Sequence, residues 1–301
     1  MNKTPICILG GTGFVGRHLI NALTATGYPC RLILRRPERY RDLRLVPGLE
    51  VRPGDLFDAE DLGRHLAGCG TVINLVGILN ETRTSRFERV HVELVEHLVA
   101  AARTAGVGRL LQMSALHADA LSGGSRYLRS KGAGEDLAHR ALESGIAVTS
   151  FQPSVIFGRG DRFFNRFAGL LRIVPGFFPL ACPNARLAPV YVGDVVAAMH
   201  TALADPATHG QRYPLCGPRV FRLQELVEYT AATIDRRVRV VGLGNGLSRL
   251  QARVFEWLPG QPFTRDNYLS LQTDNVCTRD GLAELGLRAT DIAAVVPGYL
   301  R

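Results

Sequence analysis

Lysine is nearly absent from this chain: of 36 Lys and Arg side chains only Lys3 and Lys131 are lysines, so arginine carries the formal charge of +9. The arginines are scattered, with no run longer than Arg35-Arg36 or Arg236-Arg237. No zinc-finger or single-strand-binding pattern accompanies them, and no nucleic acid is expected as a partner. Long apolar runs are also missing, since nothing approaches the ~18–20 residues of a spanning helix. The opening MNKTPICILGG has too short an apolar stretch for a secretory leader and lacks the Arg/Ser-rich pattern of a transit peptide. A cytoplasmic, reducing location is expected, with a peripheral place at the cytoplasmic face of the inner membrane left open. The six cysteines (Cys7, Cys30, Cys69, Cys182, Cys216, Cys277) form no C-x-x-C pair. They read as buried thiols, and no metal site is expected.

What is present is an alternation. Strand-like apolar runs at Ile6–Leu9, Arg31–Leu34, Glu50–Arg52, Thr71–Leu75, Arg109–Met113 and Ala147–Phe151 are separated by stretches of helical period at Val15–Thr26, Asp58–Leu66, Phe87–Thr104 and Arg129–Ser144. This order predicts βαβ units and an α/β, doubly wound parallel Rossmann sheet. The dinucleotide-binding domain is expected over 1–157 and a smaller C-terminal, substrate-side region over 158–301, with 187–216 returning to complete the Rossmann part. FGRGDRFF and VPGFFPLACP read as loops shaping a cavity, and a helix is expected from near Asp194.

The first strand runs directly into GGTGFVG, which sets Gly10, Gly13 and Gly16 in G-x-x-G-x-x-G spacing with Thr12, Phe14 and Val15 between and beside them. Gly10 permits the tight turn, Gly13 lets backbone amides approach a pyrophosphate, and Gly16 allows close helix–strand packing. A bare glycine pattern is weak, but its place between a strand and an amphipathic helix is the context that gives it meaning. The second strand ends in Arg35-Arg36, where an NAD-preferring fold usually carries an acid, so the 2′-phosphate of NADP(H) is expected over NAD(H). After strand three, Asp55 and Leu56 stand where an adenine edge can meet a carboxylate, although Asp55 equally suits a helix cap. After strand four, Asn74, Leu75, Val76 and Gly77 are placed to pass beneath the ribose and nicotinamide.

Tyr127 and Lys131 lie four apart, on one helix face. With two lysines and eight tyrosines in 301 residues, that spacing arises by chance roughly one time in twenty. An ammonium beside a phenol favours the phenolate, so Tyr127 is expected to act as acid or base near neutral pH while Lys131 holds ribose hydroxyls. Ser114, thirteen residues earlier, is placed to orient a carbonyl. The bland alternative is a solvated helix face.

GGTGFVGRHL, GDLFD and the Ser114, Tyr127, Lys131 set resemble the extended and atypical short-chain dehydrogenase/reductase superfamily. SRYLRSKGAGE, SVIFGRGDRFFNRFA and APVYVGDVV resemble one branch of it, which includes the nucleotide-carrying accessory subunit of respiratory complex I and its bacterial relatives. The likeness runs from about residue 4 to residue 275. It implies a tightly held NADPH, cofactor contacts at Pro153 and Ile156, a structural rather than a turnover role, and proximity to a membrane and to quinone chemistry. Two departures bear on turnover. Gln152-Pro153 stands where epimerase-like members carry Arg-Pro, and His91 stands where many supply a relay asparagine. Two readings follow: a nucleotide-holding accessory protein with respiratory complex I or a membrane surface as partner, or a working NADPH-dependent reductase of a small hydrophobic carbonyl. Finally, LSRLQARVFEWL before Pro259-Gly260 forms an amphipathic helix. Leu247, Leu250, Val254, Trp257 and Leu258 share its apolar face. That face is expected to close the protein's own core, with external docking as the rival.

Overall fold

The computed structural model describes residues 4–258 and 261–300. Lys3 and the Pro259-Gly260 stop lie outside them. Ile6–Leu9 (β1) is buried at every position, as expected for a strand covered on both faces. It is followed by Phe14–Ala25 (α1), Cys30–Leu34 (β2), Leu49–Pro53 (β3), Ala59–Leu66 (α2), Thr71–Asn74 (β4), Leu94–Thr104 (α3), Arg109–Met113 (β5), Arg126–Arg140 (α4) and Ala147–Pro153 (β6). Among the later elements are Ile156–Phe157 (β7), Phe164–Ile173 (α5), Phe177–Leu180 (β8), Arg186–Leu187 (β9), Val190–Tyr191 (β10), Val192–Ala204 (α6) and Arg212–Leu215 (β11). Seven strands form one sheet in the order β11-β6-β5-β4-β1-β2-β3, and every pairing is parallel. The order reverses between β1 and β4, so a crevice opens there at the carboxyl ends of the strands, where open α/β sheets bind ligands.

Helices α1 and α6 pack over one face of the sheet through Leu19, Ile20, Leu23, Val195 and Met199. Helices α2, α3 and α4 cover the other through Leu62, Leu66, Val95, Leu98 and Ala138. A third cluster, with Phe157, Phe164, Leu171, Leu226 and Val240 at its centre, joins β8 to Arg239–Gly242 (β13) under α5 and Leu223–Thr233 (α7).

Four expectations are corrected. VPGFFPLACP is not wholly a loop, since Phe177–Leu180 within it form β8 and pair with β13, whereas FGRGDRFF is irregular over 158–163 as expected, with α5 starting at Phe164. The stretch 87–104 is not one α-helix but a π-helical turn, Glu88–Glu93, leading into α3. The six cysteines are not all thiols, since Cys216 and Cys277 are disulfide-bonded while Cys7, Cys30, Cys69 and Cys182 are free and buried. The bond ties the end of β11 to a segment 61 residues on, a tertiary neighbourhood that no local spacing announces.

The fourth correction concerns Asn245–Phe255 (α8). Only Ser248 and Ala252 of this helix are buried. Leu247, Leu250 and Val254 are each more than half exposed, Leu258 is exposed, and Trp257 is 88% exposed. The small residues face the protein, where the Ser248 hydroxyl accepts the Cys182 amide. The large apolar residues do not close its core.

Candidate functional site

The crevice begins at the glycine turn. Gly10 adopts φ +79°, and a Cβ there would lie 2.9 Å from the Leu75 carbonyl carbon, so the turn after β1 is pressed against the chain leaving β4. A Cβ at Gly16 would fall 2.5 Å from the Gly11 Cα and 2.7 Å from the Gly10 carbonyl oxygen. Gly13 is the N-cap of α1 and its amide donates to the Gly10 carbonyl. No side chain caps α1 and no acid stands in its first turn. Its amide end and positive dipole end therefore face the crevice uncompensated, the arrangement that receives a phosphate. By contrast Asp58 caps α2 and Ser125 caps α4. Thr12, Phe14 and Val15 are partly buried around the turn. Residues 158–160 return beside it, where His18 Nε2 bonds the Arg159 carbonyl at 3.1 Å. These features fit a dinucleotide pyrophosphate.

Arg35 and Arg36 are exposed at the carboxyl end of β2, next to β1. Neither makes an ion pair among the described residues, although fourteen such pairs occur elsewhere. Asp55 is exposed after β3, and among the described residues its carboxylate accepts only the Phe57 amide. It is not the cap of α2, a role that Asp58 fills through the Glu60 and Asp61 amides. Leu56 packs on the α2–α3 cluster. The Asn74 side chain is turned into the structure: it donates to Gln112 at 3.0 Å and accepts the Val76 amide, so what it can hold toward the crevice is the shape of the 75–77 backbone. Gly77 lies open beside His91 and Lys131, where a Cβ would sit 3.6 Å from His91 Nε2 and 3.8 Å from Lys131 Nζ. Pro153 is buried at the end of β6, and Ile156 pairs with Val190 one strand further.

Around Lys131 the structure differs from the simple pairing of phenol and ammonium. Lys131 Nζ donates to the Met113 carbonyl at 2.6 Å, and burial pulls its pKa down to about 8 against the opposing charge of Glu135. Burial, followed by the charge of Asp266, pushes Tyr127 up to about 12. Burial of the phenol and the charge of Asp266 thus oppose the phenolate that the spacing to Lys131 was expected to favour. Ser114 donates to Glu135 at 2.6 Å, so its single proton is committed to a carboxylate. Glu135 is fully buried and also accepts from Gln152 at 3.0 Å, with Arg212 3.9 Å away.

His91 is held on the π-helical turn against α4. A Cβ on Gly134 would collide with the His91 carbonyl, which is why the two elements sit so close. Its Nε2 accepts the Ile78 amide, which fixes the proton on Nδ1, and Nδ1–H donates to Ser130 at 2.8 Å. Burial, then the charge of Lys131, lowers its pKa to about 3. His91 is thus a neutral imidazole with both nitrogens occupied.

Sequence reasoning missed Glu135, Asp266, Gln152 and Arg212 as members of this network. Glu135 was within reach, since it continues the four-residue spacing of Tyr127 and Lys131 on α4. Asp266 was not: it accepts the Arg126 and Tyr127 amides from 140 and 139 residues away. A cleft of about 460 Å³ opens beside the network, with His117, Gln152, Arg212 and Arg279 among its walls.

The buried histidines give a pH prediction. In the unfolded chain His91 and His139 titrate near ~6.5, whereas in the folded protein burial lowers them to about 3 and about 4. Between those values the unfolded state binds more protons, so stability is present above about pH 6.5 and declines as pH falls. Thermal melts from pH 7 to 5, above the carboxylate range, are expected to show a falling midpoint that His91→Asn makes less steep. An unchanged slope in that variant would remove His91 as a source of the effect.

Comparison with known proteins places these features. Residues 10–156 match the profile of an NAD(P)H-binding family. The chain is 31% identical over 299 residues to the mitochondrial NADH dehydrogenase (ubiquinone) 1 alpha subcomplex subunit 9 of Mus musculus, covering 95% of this chain and 76% of that protein. It is 33% identical over 199 residues to a ceramide reductase of Caulobacter vibrioides, covering 64% of this chain and 59% of that protein. Its fold superposes with a TM-score of 0.77 on an NADPH-dependent quinone oxidoreductase from Escherichia coli complexed with NADPH, at 20% identity and with 98% and 99% of the two chains covered.

Proposed function

The chain belongs to the family of the NADH dehydrogenase (ubiquinone) 1 alpha subcomplex subunit 9, an NAD(P)H-binding branch of the short-chain dehydrogenase/reductases, and from that premise we propose that it holds NADP(H) as a resident nucleotide rather than turning it over. The observation that carries this reading is the combination at one crevice of an uncapped α1 and, at the end of β2, two arginines with no ion-pair partner among the described residues. Gly10, Thr12, Gly13, Phe14, Val15 and Gly16 receive the pyrophosphate, and Arg35 and Arg36 take the 2′-phosphate. Asp55 and Leu56 flank the adenine. Asn74, Leu75, Val76 and Gly77 form the floor under the nicotinamide half, with Pro153 and Ile156 on the opposite wall. Lys131 reaches ribose hydroxyls from its place beside Gly77. In this reading residues 1–157 form the dinucleotide domain and 158–301 the smaller C-terminal, substrate-side region, from which 187–216 return to complete the Rossmann part.

A bound nicotinamide supplies a hydride, and Ser114, Tyr127 and Lys131 remain around it in the catalytic places. Three features favour holding over turnover. The Ser114 proton is tied to Glu135, His91 has both nitrogens engaged, and the neighbouring cleft carries His117, Arg212 and Arg279, poor walls for a small hydrophobic carbonyl. The likeness to a ceramide reductase keeps an active reductase as the second reading. In line with the family, the partner is a respiratory complex of the NADH:ubiquinone type at the cytoplasmic membrane face. The test is retention. Protein purified without added nucleotide is expected to carry NADPH that survives desalting and resists oxidation by added quinones and carbonyls. Lys131→Ala is expected to lose it, while Tyr127→Phe folds and keeps it. Rapid oxidation by a quinone or carbonyl would replace this reading by the reductase, and full retention by Lys131→Ala would remove the lysine from the site.

A further inference from the structure

Among the described residues nothing covers the apolar face of α8. Leu247 (57% exposed), Leu250 (56%) and Val254 (52%) fall within about 60° of arc on a helical projection, opposite the buried Ser248 and Ala252, and Trp257 (88%) and Leu258 (44%) follow in the turn that ends the helix. Soluble chains scatter single exposed apolar residues, but a contiguous cluster of this kind marks a surface that is covered in use. We infer that this face docks on an anionic phospholipid bilayer, with the helix lying in the plane of the headgroups.

Charge selects that occupant. Arg253 borders the apolar arc one turn before Trp257. Arg249 lies further round the same side, its guanidinium 5.8 Å from the Tyr268 ring centre. Neither arginine forms an ion pair among the described residues. The one acid of the segment, Glu256, is neutralised by Arg265 at 2.8 Å. Nearby Asp266 spends its carboxylate on the α4 amides. The exposed face thus combines leucine, valine and tryptophan with uncompensated cations, the composition of an interfacial helix. Alongside it, Gln251 donates to the Pro179 carbonyl and so fixes the helix to the β8–β13 pair, where Phe177 (64%) and Val241 (40%) are exposed and Arg239 opens β13. A second copy of the chain fits worse. Two-fold pairing through this face would bring the same arginines together without acids to meet them. The inference extends the peripheral placement proposed above and is argued from this surface alone.

The experiment uses the full chain saturated with NADP+ and reads its single tryptophan, Trp257, together with cosedimentation. Vesicles of phosphatidylglycerol and phosphatidylcholine are expected to bind the protein and shift Trp257 emission to the blue. Phosphatidylcholine alone is expected to do so far less, and added salt is expected to release the protein. Arg249→Gln with Arg253→Gln is expected to weaken partition about 25-fold, from roughly a fivefold loss per basic side chain at an anionic surface. Leu250→Asp with Val254→Asp is expected to abolish it. All four side chains lie on the protein surface, so the variants should keep NADPH affinity and melting temperature, and that affinity reports on the nucleotide reading separately. No shift with anionic vesicles, equal binding to both vesicle types, or a concentration-dependent blue shift with dimer sedimentation in their absence would each overturn the inference.

Discussion

Gly16→Ala is expected to cost the protein its dinucleotide, with NADPH affinity falling by about 100-fold or more. The added methyl group would stand 2.5 Å from the Gly11 Cα and 2.7 Å from the Gly10 carbonyl oxygen. Both obstacles are backbone, so no side chain can swing aside. Either the turn moves away from α1 or the helix slides back, and overpacking of this kind costs about 1–3 kcal/mol. Whichever yields, the amides of the turn lose their common aim, and charge-assisted bonds to phosphate worth about 1.5–3 kcal/mol each weaken together. The control is Gly63→Ala in the middle of α2, where a Cβ meets nothing within 4 Å. That change should leave affinity untouched and raise stability slightly through helix propensity. Calorimetric titration with NADPH checks both. An unaltered dissociation constant for Gly16→Ala would mean that the phosphates bind elsewhere.

The Rossmann half was readable in the chain because its signals are local. β1 is a four-residue buried run followed directly by glycine, and both it and β5 have the boundaries that their apolar runs imply. α4 starts earlier than its period alone suggested, at Arg126, because Ser125 and the distant Asp266 both satisfy its first amides. The smaller pairings, β7 with β10 and β8 with β13, join segments too short or too irregular to show period-two alternation. Tertiary contacts hold them.

In the site, positions were legible and directions were not. The sequence puts Ser114, Tyr127 and Lys131 on adjoining elements, but the fate of the serine proton depends on Glu135, and the pKa of Tyr127 depends on its burial and on Asp266. Asn74 shows the same limit, since its side chain is spent on Gln112 and the Val76 amide. For α8 the apolar stripe was plain, yet periodicity cannot say what a stripe faces. Ser248 and Ala252, which pack inward, would be read as its polar or neutral side.

The second large effect is at the end of β2. Arg35 and Arg36 carry no partner ion among the described residues, so each is available for a 2′-phosphate. Because both guanidinium groups stay exposed, each contact is taken at the low end of the charged range, about 1.5 kcal/mol. Two such contacts give NADPH an advantage over NADH of about 100-fold at low salt. Arg35→Ala with Arg36→Ala is expected to erase that advantage by weakening NADPH and leaving NADH nearly unchanged, since the pyrophosphate turn is intact in the variant. Added salt should narrow the gap in the unmodified protein and have little effect on it in the variant. The measurement that bears most directly on an NADP(H)-holding protein is therefore the ratio of the NADH and NADPH dissociation constants, taken by the same titration at low ionic strength. A ratio near 100 in the unmodified chain that falls toward unity in the double variant is the expected result. Equal dissociation constants in the unmodified chain would contradict it.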